Sequence, residues 1–202
     1  MAVKKITRRW ISNSLGVILV ILIALEAAIA VSVKDYYYGS VERVVLSQAE
    51  TVSGLLSKYS AEGAGDYNTY FRSIVAAFDK KNIMELMVLD VNGEVTITSS
   101  GFIPDAATLT PDCAEAMASP EGSAEYTGKM NGEKLLSVTI VPNGSTEEFH
   151  SFRLVTSLTK VDTQITIAII LTGLICAAII FFVAVSGSYF INSIVTPVGQ
   201  IG

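Results

Sequence analysis

Cysteine is almost missing from this sequence. The two that occur among 202 residues, Cys113 and Cys176, rule out a scaffold built on disulfides. Histidine is scarcer still. His150 stands alone, which removes most histidine-based metal sites and most Ser-His-Asp schemes. Charge is also thin: 16% of residues are charged, against about 25% in an ordinary soluble domain. No charged side chain occurs from residue 165 to residue 202. A basic excess is lacking, because the net charge is −5 and the pI is near 4.9, so nucleic acid is a poor candidate partner.

What is present is apolar. Half of the residues are hydrophobic and the mean hydropathy is +0.50, which excludes a disordered chain and points to a membrane-associated one. The charge is unevenly spread. Lys4, Lys5, Arg8 and Arg9 give the first ten residues +4, whereas residues 34–164 carry −8. A polar, acidic middle therefore lies between two apolar blocks.

The first block, residues 11–33, holds 13 Ile, Leu or Val in 23 positions. A helix of about 20 apolar residues crosses a bilayer core. Thirteen aliphatic residues favour insertion by about 6 kcal/mol, which outweighs roughly 3 kcal/mol for one acid, Glu26. Trp10 at one end and Tyr36, Tyr37 and Tyr38 past the other suit the membrane interfaces. The rival reading is a cleaved leader ending at Ala28-Ile29-Ala30. The second block, residues 165–188, has Tyr189 and Phe190 beyond it. With four basic residues before the first span, the positive-inside rule puts residues 1–10 in the cytoplasm. Two spans then leave residues 34–164 outside and return the C-terminus to the cytoplasm. Glu26 has two readings: a buried carboxyl that hydrogen-bonds across a dimer interface or reports signal state, or a protonated or snorkelling acid near the outer leaflet with no role.

The middle reads as one domain. Val41, Val44, Val45, Ala49, Val52, Leu55, Leu56 and Tyr59 recur at helical steps, continuing from the first span. Asp66 is a candidate N-cap for a second helix carrying Tyr67, Tyr70, Phe71, Ile74, Val75 and Phe78, with Asn82 as its stop. Met84–Leu89 and Glu94–Thr98 form a hairpin across Asp90-Val91-Asn92-Gly93. Thr110-Pro111-Asp112 starts a short helix through Met117. Ser123–Met130 and Glu133–Val141 pair across Asn131-Gly132, and a last strand, His150–Leu158, leads through Thr159–Asp162 into the second span. This is an α+β layout with an antiparallel sheet of about five strands.

The strand pair Met-Val-Leu-Asp-x-x-Gly-x-Val, the Ser99-Ser100-Gly101 loop and a closing strand feeding a second span resemble the extracytoplasmic PAS-like, or Cache, sensor domains of bacterial histidine kinases and chemoreceptors. Ile194-Val195-Thr196-Pro197-Val198 resembles the start of a HAMP linker, which would occupy residues 189–202. The resemblance implies a membrane-bound, homodimeric input module of a two-component sensor histidine kinase. Its stimulus would be an extracellular small molecule, ion or protein. A response regulator would be reached only through a kinase module beyond this sequence. No cofactor is expected here, since ATP and Mg would belong to that kinase module. Lys160 and Pro197 would lie on the transmission path. Arg153 could hold an anion on the pocket face of the sheet, with Ser99, Ser100 and Tyr126 at the pocket rim. The other reading of Arg153 is an outward-facing strand residue paired with one of the many acids. Alternatives for the whole are a chemoreceptor or cyclase sensor, or a membrane-tethered or secreted binding protein. Cys113 is expected to be inert or to bridge two protomers, Cys176 to fill apolar space, and Asp90 to be a turn residue.

Overall fold

The computed structural model describes residues 2–63, 65–104, 111–130 and 132–190. Its elements run α1 (Ala2–Glu62), α2 (Tyr67–Ala77), β1 (Glu85–Leu89), β2 (Val95–Thr98), α3 (Pro111–Ala118), β3 (Ser123–Met130), β4 (Glu133–Ile140), β5 (Ser151–Ser157) and α4 (Thr159–Phe190). They divide into two units, one made of Tyr38–Asp162 and the other of the flanking parts of α1 and α4. The fold class is α+β, with one five-stranded antiparallel sheet among the described residues.

In the Tyr38–Asp162 unit the strand order is β2-β1-β5-β4-β3, so the last strand in the chain is the middle one in space. Its two faces differ because side chains alternate along a strand. Phe152 and Leu154 share a face with Leu86 and Val88 of β1 and with Val138 and Ile140 of β4. That face meets α2, whose Phe71 ring centroid lies 6.2 Å from Phe152 and 5.7 Å from Phe149. Val45, Ala49, Val52 and Leu56 of α1 are also fully or almost fully buried. Their spacing of four, three and four residues is one helical stripe. Val44 and Leu55, part of the same apolar recurrence in the sequence, are each 44% exposed because they sit off that stripe.

Local chemistry sets the boundaries. Asp66 caps α2 by accepting from the Asn68 N–H and the Thr69 hydroxyl. The Thr69 hydroxyl bond in particular holds its carboxyl below the usual range. The helix ends five residues before Asn82, since Phe78 adopts extended geometry and turns its ring into the core. Ile83 and Met84 then bond to the Lys80 carbonyl in a turn, so β1 starts at Glu85. Asp90 Oδ1 accepts from the Asn92 and Glu94 N–H groups at the hairpin, where Gly93 has φ +81°. Gly144 is needed for contact as well as conformation: a Cβ there would collide with the Ser60 side chain.

The second unit is helical. The most apolar 18-residue windows of α1 and α4 have mean hydropathies of 2.7 and 2.9, and none of either window is buried. Both helices are long and apolar enough to cross a membrane. The HAMP-like stretch with Pro197, Thr110 before α3, and Asn131 lie outside the described residues, as does the Trp10 side chain.

Two measurements test this packing. Phe71→Ala should cost about 3–5 kcal/mol in denaturant unfolding, whereas Phe102→Ala, at a residue 70% exposed, should change stability by less than about 0.5 kcal/mol. Burial pushes the Tyr67 hydroxyl up to about 12 from an ordinary 10.0. Its contribution is fully present below the unfolded value and is lost as pH rises through the folded one. Tyr67→Phe should therefore flatten the alkaline loss of stability between those two pH values.

Candidate functional site

The opposite face of the sheet holds a buried polar patch among apolar neighbours such as Met87, Leu89 and Leu135. Ser151 and Arg153 of β5 share it with Ser137 and Thr139 of β4, which pair with β5 directly. Ser137, Thr139 and Ser151 are fully buried and Arg153 is 2% exposed. The cover is α3, which packs on β3 and β4. Pro111 opens that helix, as its fixed φ suits the first helical position, and the next residue, Asp112, points into the sheet with no exposed surface.

Asp112, Thr139 and Arg153 form one cluster. The Arg153 Nε–H lies 3.2 Å from Asp112 Oδ2 and 3.2 Å from Thr139 Oγ1, and the Thr139 hydroxyl donates to Asp112 Oδ2 at 2.6 Å. Taking such charges out of water costs on the order of several kcal/mol per ion, offset only by close pairing and hydrogen bonds. The pairing is incomplete within the described residues, because Asp112 Oδ1 and Ser151 Oγ are buried without hydrogen-bond partners. An unmatched buried acceptor costs about 1–3 kcal/mol. Cys113, beside Asp112, is a free buried thiol, pushed up by burial. The polar face opens at one end into a groove of about 260 Å³ lined by Glu85, Glu133, Leu135, Val155 and Ser157 among others.

The residues singled out in the sequence fall as follows. Arg153 lies at the centre of this face, paired with an internal acid. Tyr126 is on the same face, opposite Ser137 across the β3–β4 ladder, with its ring folded against Gly128. Ser100 donates to the Glu85 carboxylate, a groove residue. Ser99 is buried at the end of the β1–β2 ladder, where its hydroxyl accepts the Leu86 N–H at 3.1 Å. His150 extends the β5–β1 pairing through its backbone N–H. Asp112 and Thr139 carried no signal of their own in the sequence. The helix-start pattern placed Asp112 in a first turn but did not say which way it faces.

A second cluster joins α1, β4 and the start of α4 within the same unit. The Tyr38 hydroxyl donates to Asp162 and accepts from Lys134, whose Nζ lies 4.3 Å from the Tyr38 ring centroid and 3.7 Å from Asp162 Oδ1. Burial pushes the Tyr38 hydroxyl up, with the Asp162 hydrogen bond adding to it, and the Tyr38 contact raises Lys134. Lys160 is exposed two residues earlier on α4. In the other unit, Glu26 accepts from the Thr172 hydroxyl at 2.9 Å, and the Cys176 thiol lies 3.6 Å from its second oxygen. Among the described residues no group of three His, Cys, Asp or Glu side chains is placed to hold a metal ion.

No protein-family model matches the sequence, and no curated protein matches it. A solved structure described as a domain of a sensory box/GGDEF family protein from Vibrio parahaemolyticus is similar at 13% identity and a TM-score of 0.45. The match covers 71% of this chain and 64% of that one, so the chain spans less than two thirds of its length. At that score the likeness adds nothing to what the sheet order already establishes.

Arg153→Met should destabilise the protein by about 3–5 kcal/mol, because it strands the Asp112 carboxylate in the interior. Equilibrium unfolding in urea, with the full chain in detergent micelles, measures this. A loss below about 0.5 kcal/mol would mean that the pair is open to water.

Proposed function

We propose that the chain is the input part of a membrane-bound sensor, with residues 34–164 outside the cytoplasmic membrane and both tails inside. One observation carries the reading. The middle strand of the sheet, β5, bears Arg153 on its polar face and continues within two residues into α4, a helix apolar enough to cross the bilayer. A change at the polar face thus acts on the strand that is covalently continuous with a span.

The mechanism is a population shift. A stimulus that binds one arrangement of the α3-covered face better than another moves the balance between them. A differential affinity of tenfold corresponds to about 1.4 kcal/mol, so modest contacts suffice. The Tyr38–Lys134–Asp162 cluster supports the same route, because it fixes the first turn of α4 to α1 and β4. Glu26, Lys160 and Pro197 are proposed on the transmission path, and Tyr126, Ser99 and Ser100 at the binding region. A homodimer, a HAMP-type linker and a histidine kinase output are the partners that the sequence resemblance implies. The stimulus is a small molecule, ion or protein met outside the cell.

The orientation is tested by placing a single cysteine at Ile83, which is 53% exposed, in a chain with Cys113 and Cys176 replaced by Ala. A membrane-impermeant maleimide added to intact bacteria should label it. Labelling only after lysis would overturn the proposed topology.

A further inference from the structure

The pairing at Arg153 is lopsided. Asp112 Oδ2 takes both the Arg153 Nε–H and the Thr139 hydroxyl, while Oδ1 is buried and unmatched within the described residues. A free carboxylate matched to a guanidinium shares two parallel bonds with it. Here the backbone of α3 dictates the approach, and one oxygen is left dry. The Ser151 hydroxyl, two residues along β5 on the same face, is likewise buried and unmatched. The protein therefore keeps a cation, two hydroxyls and an ill-fitted carboxylate enclosed together in the middle of its sheet.

We propose that Asp112 is a built-in competitor at an anion subsite centred on Arg153. A carboxylate on an incoming small molecule takes the Arg153 and Thr139 bonds by displacing the Asp112 side chain, and α3 shifts off the sheet as it does so. An untethered carboxylate has the freedom to satisfy both of its oxygens, with Ser151 as a further donor. Self-occupancy sets the threshold, since the apparent affinity falls by the fraction of time that Arg153 is closed. The α3 helix is eight residues long, packs on β3 and β4, and carries a free thiol and no cross-link. The inference rests on the sensor reading only in taking this carboxylate as the stimulus.

Chemical rescue tests it with the full chain in detergent micelles. Formate and acetate are the probes, formamide and acetamide the neutral controls, and chloride the control for ionic strength. Asp112→Ala should melt below wild type. Formate or acetate should raise its melting temperature saturably, at a half-saturating concentration about tenfold or more below that of wild type. The neutral amides and chloride should not, and the response should vanish in Asp112→Ala/Arg153→Met. If Asp112→Ala does not fold, Asp112→Asn, which keeps the side-chain volume, should show the same gain. A carboxylate response equal to that of wild type in the folded variant would overturn the proposal, as would one that survives loss of Arg153. A neutral or cationic compound that stabilises wild type, with no carboxylate response in either Asp112 variant, would overturn it and leave the sensor reading standing.

Discussion

The structure turns on the burial of both faces of β5. A strand in the middle of a covered sheet has no solvated side, and its alternation sends Phe152 and Leu154 one way and Ser151 and Arg153 the other. The first pair needs only hydrocarbon, which α2 supplies through Phe71. The second pair needs hydrogen-bonding partners, because a guanidinium without a counter-charge is not tolerated away from water. The Thr139 hydroxyl and the Asp112 carboxylate meet that need.

The same strand connects chemistry to the membrane. After Ser157 the chain passes through Leu158, whose N–H bonds to the Lys134 carbonyl, into α4. Lys134 then reaches Tyr38, and Tyr38 reaches Asp162. Three elements distant in sequence are thereby fastened at the end of the sheet where α4 begins. In the helical unit the one acid of residues 11–33, Glu26, finds a hydroxyl on α4, and Gly173 lies beside it. A carboxyl in an apolar helix is costly unless a partner is at hand, and Thr172 is that partner.

The sequence made most of the fold legible. Its two apolar blocks, the change from helical to alternating periodicity after Asn82, and the Asp-x-Asn-Gly and Asn-Gly turns gave the element order and a sheet of five strands. Boundaries slipped where a single side chain or backbone bond decided them, as at Phe78 and Met84. The site was legible only in part. Arg153 was singled out through the family resemblance, yet neither its burial nor its partner could be read. Pairing it with Asp112 requires strand order, the face on which α3 lands and the register of β4 against β5. All of these are tertiary facts that no local pattern encodes. The Tyr38 contacts were hidden likewise: three adjacent tyrosines read as a membrane belt, while one of them is a ligand for Lys134 and Asp162.

The most direct measurement is the coupling energy between Asp112 and Arg153, from a double-mutant cycle of Asp112→Ala and Arg153→Met unfolded in urea. A buried, hydrogen-bonded pair predicts a coupling of about 2–3 kcal/mol, near the upper end for contacting residues. Additive losses, with coupling below about 0.5 kcal/mol, would mean that the two side chains do not meet in the interior, and the account of the polar face would fail.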